Sequence, residues 1–396
     1  MMRITRTFHP VGQGAFYSER FNFGYETFNI VYDCGSDTNR KLTKSIESTI
    51  KSSFTDQDTI DILFISHFDR DHVNKISVLK NTVKEIKTVV YPLLQDIQKN
   101  ILKSIYSNNN DFKDFLALID NPSSFFGDDV RLIEIKALNS EKTSREQNSE
   151  PEVVNLFTEG LERGEYNSGT RFTFNTSTRS RTVIWNFIPY NYEFESRHNK
   201  LIEAINKASN SDPNNKKIYD KLSKGVLISN PTELKLVNKI YRLCLKDVNK
   251  NSMFLYSGPI NDSYRFDNRD YNCTYTHCEY PPCSPKFRGI SPGCLYTGDA
   301  DFKYLVRNKV TIKTLLPDFF KYIGVIQIPH HGAIGNFKID FFANEKYYCP
   351  MSFGKTNTHG HPSDKVIQEL VENGNFPIRI SEDHASIFIQ NIVMNY

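Results

Sequence analysis

The sequence predicts an α/β protein that carries a mostly helical insertion. Short apolar runs typical of strands alternate with helical patterns at both ends of the chain. Between them, the segment 198–248 has a helical pattern that is interrupted at 212–215 by Asp, Pro and two Asn. The length of 396 residues and the hydrophobic fraction of 39% fit one large domain over residues 1–396.

The first half of the chain opens with the clearest alternation. It predicts strands at 3–8, 26–32, 60–66 and 86–91, and helices at 39–53, 74–80 and 92–106. Residues 60–66 (Ile-Asp-Ile-Leu-Phe-Ile-Ser) form a short apolar run, as in a strand buried on both faces. The strand at 86–91 should stop at Pro92, which lacks a backbone donor. The polar stretch 107–180 predicts loops and short helices, with a strand near 171–176.

Strands and helices alternate again in the second half. The predicted strands are 182–188, 252–257, 294–297, 323–328, 347–353, 377–381 and 385–391, and the predicted helices are 301–308, 336–343 and 363–373. A polar loop is expected over 258–293. It contains Cys273, Cys278 and Cys283, and three cysteines with His277 could hold a structural zinc. Because His277 directly precedes Cys278, joint ligation is awkward, which favours free thiols.

Composition excludes some classes of function. A net charge of +3 is small for a broad nucleic-acid surface, although a local basic groove remains compatible with it. No segment approaches the roughly 18 apolar residues of a membrane span, so no membrane partner is expected. The start of the chain lacks the apolar region of a signal peptide. Seven cysteines without an export signal therefore predict a reducing, cytoplasmic setting.

The strongest chemical pattern is Ser-His-Phe-Asp-Arg-Asp-His at 66–72. It places His67, Asp69, Asp71 and His72 directly after an apolar strand and before a helical segment. A sharp loop at a strand end can direct all four side chains to one place. Imidazole and carboxylate are the groups that zinc, manganese and iron sites use. A surface loop with incidental histidines is the alternative, but the buried strand before the loop favours a metal site.

Three later strand ends also carry imidazole or carboxylate groups. They are Tyr296-Thr297-Gly298-Asp299, Pro329-His330-His331-Gly332 and Thr358-His359-Gly360-His361-Pro362. Functional groups of α/β proteins collect where strand ends open into loops. One such histidine would more often be structural, but four separate strand ends with this chemistry predict a shared centre.

These motifs resemble those of a known family. His67-x-Asp69-x-Asp71-His72 resembles the His-x-His-x-Asp-His signature of metallo-β-lactamase-fold hydrolases, in the form found in the hydrolase domain of the competence protein ComEC. Further segments are similar to the family's other motifs, in the expected order: 11–14, 33–35, 249–253, 298–299, 329–332 and 360–362. The resemblance covers 1–92, 182–190 and 249–396. It implies a metallo-β-lactamase αββα sandwich with a mostly helical insertion.

The resemblance also implies a set of metal ligands. His67 and Asp69 would bind a first ion. Asp71 and His72 would bind a second, with His330 as its late imidazole. The second signature histidine is Asp69 in this chain, and oxygen is a harder ligand than imidazole. The family's mid-chain histidine has no clear counterpart, because the only histidine between 73 and 276 is His198. We therefore expect one or two divalent ions, Zn or Mn.

Four more residues receive roles by the same resemblance. Asp299 would bridge both ions, and Asp33 would orient the ligand loop by hydrogen bonds. His331 and His361 would lie behind the ligands or face the substrate. A divalent metal lowers the pKa of bound water to about 7. Asp71 or Asp299 could then take the proton, while His331 or His361 stabilises the developing charge or protonates the leaving group.

Together these features predict a metal-dependent hydrolase that acts on phosphodiesters, either nucleic acid or nucleotides. The resemblance also implies protein partners in a bacterial defence or DNA-processing system. Two alternatives stay open. One is a hydrolase of a small cyclic nucleotide or of another ester. The other is a non-catalytic or regulatory subunit in which Asp69 and the missing histidine have damaged the metal site. Stoichiometric metal in the purified protein would separate an enzyme from a regulatory subunit.

Overall fold

Strands and short helices alternate along the described chain. The computed structural model describes residues 2–24, 26–106, 113–138, 152–156, 162–177, 182–191, 203, 207, 213–237, 252–259, 271–277, 291–343 and 345–394. Within them the strands are β1 (Met2–Phe8), β2 (Phe16–Asn22), β3 (Thr27–Cys34), β4 (Thr59–Phe64), β5 (Glu85–Pro92), β6 (Arg131–Ile135), β7 (Val153–Asn155), β8 (Gly164–Tyr166), β9 (Arg171–Ser177), β10 (Thr182–Asn191), β11 (Met253–Pro259), β12 (Tyr271–His277), β13 (Gly293–Tyr296), β14 (Ile323–Ile326), β15 (Tyr348–Ser352), β16 (Phe376–Ile380) and β17 (Phe388–Met394).

The helices are short and amphipathic. In the described residues the named α-helices are α1 (Thr43–Ser53), α2 (Arg70–Val73), α3 (Ile76–Lys80), α4 (Asp96–Tyr106), α5 (Lys113–Asp120), α6 (Pro122–Phe126), α7 (Pro213–Ser223), α8 (Phe302–Arg307), α9 (Ile312–Leu315) and α10 (Asp364–Glu372). The spacing of the buried residues explains them: Ile46 and Ile50 lie four apart on α1, and Val366 and Leu370 lie four apart on α10. None of the described helices is long and apolar enough to cross a membrane.

The strands form two mixed sheets. The first sheet has nine strands in the order β12-β17-β1-β2-β3-β4-β5-β6-β8. The second has eight, in the order β16-β15-β14-β13-β11-β10-β9-β7. Pairing is parallel from β3 through β4 and β5 to β6, and again from β13 through β14 and β15 to β16. The carboxyl ends of these parallel strands therefore share one edge in each sheet.

The two sheets pack face to face and share the main hydrophobic core. Aromatic contacts cross the interface: the rings of Phe21 and Trp185 lie 5.5 Å apart, edge to face, and those of Phe64 and Phe187 lie 6.0 Å apart. Helices α1 and α3–α6 cover the outer face of the first sheet, and α8–α10 cover that of the second. The order of layers is thus helix, sheet, sheet, helix, and the α/β class predicted from the sequence is confirmed.

The described part of the predicted insertion packs on α4. Residues 213–223 and 231–237 are helical, and α7 begins at Pro213, which suits the first position of a helix. Ile101 of α4 packs with Ile218 and Leu222 of α7. The backbone NH of Ile228 donates to Ser104 Oγ at 3.2 Å, which fixes the chain beyond α7 to α4. The insertion therefore touches the same helix layer that covers the first sheet.

Several segments differ from the prediction. Strand β2 (Phe16–Asn22) lies where no strand was predicted. The predicted polar loop 258–293 contains β12, an edge strand paired with β17; its sequence alternates Tyr, Cys, Tyr and His with Asn and Thr, a period-2 pattern hidden by its polarity. Strands β6–β8 lie in the stretch expected to be loops and helices. The predicted helix 336–343 is only a 3₁₀ turn, Ile339–Phe341, because Lys338 is extended with φ −153°. Cys278 and Cys283, and the side chains of Cys273 and His277, lie outside the described residues, so the zinc prediction is untested.

A buried ion pair joins the two sheets. Arg6 Nε donates to Glu19 Oε1 at 2.7 Å, and both side chains are fully buried in the first sheet. Arg6 also donates to Gln390 of β17. From the second sheet, the hydroxyls of Ser257 and Tyr296 donate to Glu19 at 2.7 and 2.8 Å. Because every partner is satisfied, the network can sit between the sheets despite its charge.

Glu19→Gln should destabilise the protein strongly, since it leaves the Arg6 guanidinium buried without a counter-charge. Loss of one partner of a buried pair costs about 3–5 kcal/mol of unfolding free energy. Urea unfolding followed by circular dichroism measures it. Asp340→Asn is the matched control, because it removes only the exposed ion pair with Lys338 and should leave the midpoint near that of the wild type. Equal midpoints for Glu19→Gln and the control would contradict this role.

Candidate metal centre

The candidate centre lies where β3, β4, β13, β14 and β15 end. The loop after β4 carries His67 and Asp69, and the first turn of α2 carries Asp71 and His72. The loops after β13 and β14 carry the later acid and imidazoles. Each sheet thus contributes groups from the carboxyl edge of its parallel strands, which is where the sequence placed them.

His67, His72 and Asp299 form the most compact group. Their ligand atoms all lie within 4.8 Å of one another, and all three residues are buried. His72 Nε2 is 3.2 Å from Asp299 Oδ1, and His67 Nε2 is 3.8 Å from Asp299 Oδ2. These three residues come from both sheets, so the group forms only when the sheets pack together.

The facing atoms of this group lack hydrogen-bond partners. His67 Nε2, His72 Nε2 and Asp299 Oδ1 are buried, and the described structure gives none of the three atoms a well-aligned hydrogen bond. Buried polar atoms without partners are rare, and one explanation is an ion. Two imidazole nitrogens and a carboxylate are also a ligand set that divalent metals accept. The residues present therefore fit a metal ion.

A second group overlaps the first. The ligand atoms of Asp71, His72 and His331 also lie within 4.8 Å of one another. His331 Nε2 is 3.0 Å from Asp71 Oδ2, and His331 Nδ1 is 2.9 Å from the carbonyl oxygen of Ser352. Both ring nitrogens therefore face acceptors, so the ring must carry both protons to satisfy them. His331 and Asp71 form an ion pair at the edge of the first group.

Asp33 orients the ligand loop from below. Its fully buried carboxylate accepts from the backbone NH and the hydroxyl of Ser66, at 2.7 and 2.6 Å. It also accepts from His72 Nδ1 at 2.8 Å. Because His72 Nδ1 donates to Asp33, Nε2 is the nitrogen of His72 that faces Asp299 and could bind a metal ion. Asp33 itself adopts φ +58°, a strained value for a residue other than glycine.

Two hydroxyl groups orient His67 in a similar way. Ser66 Oγ and Ser252 Oγ lie 2.9 and 3.1 Å from His67 Nδ1. Ser252 Oγ also accepts from the backbone NH of Asp299 at 2.8 Å. Gly298 packs against both serines: a Cβ there would lie 2.8 Å from Ser252 Cβ and 2.9 Å from Ser66 Cβ. The loops of the two sheets therefore interlock directly behind the ligands.

The remaining predicted residues lie around the two groups. Asp69 Oδ2 is 3.9 Å from His67 Nε2, and His330 Nδ1 is 4.0 Å from Asp299 Oδ2. The rings of His330 and His361 are 5.8 Å apart. All predicted site residues thus meet in one region, but neither Asp69 nor His330 belongs to a compact group. The sequence assigned His67 and His72 to different ions, whereas the structure groups them; the two-ion assignment stays a prediction.

Some contributing residues were not found from the sequence. Gln327, buried at the end of β14, accepts from the backbone NH groups of Thr297 and Gly298, both at 2.8 Å. A single glutamine after an apolar run gives no sequence signal for this role. Tyr106, the last residue of α4, contacts the backbone of Arg70, and burial together with Asp69 raises its pKa. Through Tyr106, helix α4, on which the insertion packs, contacts the ligand loop.

The pKa values of the two histidines of the first group are shifted in opposite directions. Burial and the neighbouring His72 lower the pKa of His67 to about 3, so its imidazole is neutral at pH 7. Burial also lowers the pKa of His72, but the carboxylates of Asp299 and Asp33 outweigh it and raise that pKa well above its usual value. Without metal, His72 therefore carries a second proton at neutral pH.

The pKa values of the carboxylates of Asp71 and Asp299 are lowered. Burial raises the pKa of Asp71, but the charges of His72 and His331 outweigh it and lower the pKa to about 2. Burial is outweighed in the same way at Asp299, whose pKa lies well below its usual range because of His330 and His72. Both carboxylates are thus ionised at pH 7, ready to ligate a cation or to accept a proton.

Comparison with known proteins adds no family assignment. No family model matches the sequence, and no curated protein is significantly similar to it. The function is therefore inferred from the motifs and from the geometry of the centre.

Metal binding at pH 7 should release protons, because a cation binds neutral imidazole and must displace the extra proton on His72. Isothermal titration calorimetry with Zn²⁺ or Mn²⁺, in buffers with different ionisation enthalpies, should give binding enthalpies that vary with the buffer by about one proton per ion. Affinity should rise with pH up to the pKa of His72. His384→Ala, which removes an exposed histidine, should behave like the wild type. A binding enthalpy independent of buffer would contradict this protonation state.

Proposed function

We propose that the protein is a metal-dependent hydrolase of the metallo-β-lactamase fold that cleaves phosphodiester bonds. The observation that carries the proposal is the convergence of buried His67 Nε2, His72 Nε2 and Asp299 Oδ1 from both sheets, none with a well-aligned hydrogen bond. The helix–sheet–sheet–helix order of layers and the order of motifs along the chain support the fold assignment. The nitrogen and oxygen ligands, without a thiol, favour zinc or manganese.

The ligand sets favour one tightly held ion. Since His72 Nδ1 donates to Asp33, only Nε2 of His72 is available to a metal. One nitrogen lone pair binds one ion, so the two overlapping groups cannot each use His72 at once. We assign His72 to the group with His67 and Asp299, whose facing atoms lack partners. Asp71 and His331, which pair with each other, then lie outside the metal group and serve substrate and proton chemistry.

In the proposed mechanism the carboxylates and the imidazoles have different roles. A bound divalent ion supplies Lewis acidity, which polarises an ester oxygen and lowers the pKa of water. Asp71, ionised and at the edge of the group, is placed to accept a proton from the attacking water. His331 carries a positive charge in its pair with Asp71 and can stabilise negative charge on the phosphoryl oxygens. His361 lies beside His330; burial lowers its pKa to about 4, so its neutral ring can donate a hydrogen bond to the leaving group.

Phosphodiesters suit this arrangement better than neutral esters. Negative charge on the non-bridging oxygens meets a cation and the protonated His331 in a buried site, where electrostatic interactions are strong. Nucleic acid and nucleotides are therefore the proposed substrates. From the resemblance to hydrolases of DNA uptake, we propose that partners of the protein act in nucleic-acid processing or defence.

Asp71→Ala should abolish hydrolysis without unfolding the protein. The test is a cleavage panel of bis(4-nitrophenyl) phosphate, single-stranded DNA and RNA with Mn²⁺, Mg²⁺ and Zn²⁺. Loss of a proton-transfer group costs roughly 10²–10⁴-fold in rate. Thermal unfolding should show a folded variant, and metal content should match the wild type, because Asp71 lies outside the first group.

Asp340→Ala serves as the matched control, since it removes an exposed aspartate that pairs with Lys338, far along the chain from Asp71. It should retain wild-type rates. Equal activity of Asp71→Ala and the control would rule out the proposed centre. A wild-type protein that binds no metal and cleaves nothing in the panel would support the regulatory alternative instead.

A further inference from the structure

A row of three imidazoles leads from Asp299 to the surface. His330 Nδ1 lies 4.0 Å from Asp299 Oδ2, and the His330 side chain is 33% exposed. The next ring is His361, whose centroid is 5.8 Å from that of His330. The outermost ring is His359, stacked on His361 at 5.8 Å with an interplanar angle of 20°. His359 is exposed, and neither the proposed metal group nor the proposed mechanism uses it.

The turn that carries the row is held in place by its own hydrogen bonds. Asn357 Nδ2 donates to the carbonyl oxygens of Gly354 and His361, at 2.6 and 2.7 Å. Asn357 Oδ1 accepts from the backbone NH groups of His359 and His361, both at 3.1 Å. Gly360 allows the tight reversal with φ +69°. The backbone that carries the two outer rings is therefore held in a defined shape.

The row marks a route from solvent to the centre. His67, His72 and Asp299 are 7% exposed or less, so a substrate must approach them past more exposed residues. Exposure rises along the row from buried Asp299 to exposed His359. A group held at His359 lies two ring spacings beyond His330. It therefore belongs to a different part of the substrate than the group at the centre.

The chemistry at the outer end favours an anion. An imidazole NH donates to phosphate oxygens, and a protonated ring adds positive charge. The nearby carboxylate of Asp37 already has a cationic partner. Its Oδ1 lies 2.7 Å from Arg70 Nη1. Burial raises the pKa of Asp37, whereas the charges of Arg70 and His359 oppose that rise, which places His359 close to this pair. Arg70 supplies a positive charge and His359 an imidazole NH donor at this rim.

We propose that His359 binds a second phosphate group of the substrate, next to the one at the metal centre. This inference rests on the proposed function and narrows its substrate class to nucleotides that carry neighbouring phosphates. His359 acts as a positioning and specificity residue. A simple phosphodiester without a second phosphate gains nothing from it.

A matched pair of chromogenic substrates tests the inference. Thymidine 5′-(4-nitrophenyl phosphate) carries one phosphodiester, and its 3′-phosphorylated analogue adds the second group. His359→Ala should raise KM about tenfold for the analogue alone, with kcat unchanged, as expected for the loss of one charged hydrogen bond. His359→Lys, which keeps a cationic donor, should restore KM. His384→Ala, another exposed histidine, is the control and should change neither value.

A binding measurement separates this inference from the proposed function. Calorimetry with the manganese-loaded protein should show that thymidine 3′,5′-bisphosphate binds more tightly than thymidine 5′-monophosphate, and that His359→Ala removes the difference. If the wild type hydrolyses neither substrate, the proposed function fails, while the binding comparison still reports on His359. If His359→Ala affects both ligands equally or neither, or if the wild type does not prefer the bisphosphate, the inference is overturned and hydrolysis is untouched.

Discussion

The buried carboxylate of Asp33 holds the ligand loop in its working shape. It accepts from the backbone and hydroxyl of Ser66 and from His72, which fixes both the path of the loop and the proton on the imidazole. A carboxylate buried in this way is costly unless it is fully hydrogen-bonded, and here it is. Nε2 of His72 then faces Asp299 in the opposite sheet. The strain at Asp33, with φ +58°, is the local cost of this arrangement.

Formation of the centre is coupled to packing of the two sheets. His67, Asp71 and His72 follow strands of the first sheet, whereas Asp299 and His331 follow strands of the second. Ser252 and Gly298 of the second sheet pack against the ligand loop. Deeper in the core, the Arg6–Glu19 pair joins the same two sheets. Metal affinity should therefore depend on the rigidity of the whole interface, and bound metal should in turn stabilise the fold.

The sequence predicts the parts of this structure that rest on local pattern. The apolar run of β4 and the chemistry of residues 66–72 both lie where expected, because buried strands and metal loops have strong local signals. Strand β12 was not predicted because its polar residues hide its alternation. An edge strand needs apolar residues on one face only. The grouping of His72 with His67 was also missed, since it depends on which nitrogen Asp33 engages, and sequence spacing carries no information on that contact. Gln327 acts through backbone groups and leaves no pattern at all.

The claim that His67, His72 and Asp299 hold a divalent ion is most directly tested by diffraction. Crystals of the protein grown with Mn²⁺ or Zn²⁺, measured at the absorption edge of that metal, should give an anomalous peak between the three side chains. The peak should lie about 2.0–2.2 Å from His67 Nε2, His72 Nε2 and an oxygen of Asp299. Absence of a peak there at saturating metal, or a peak bound only by other residues, would contradict the account.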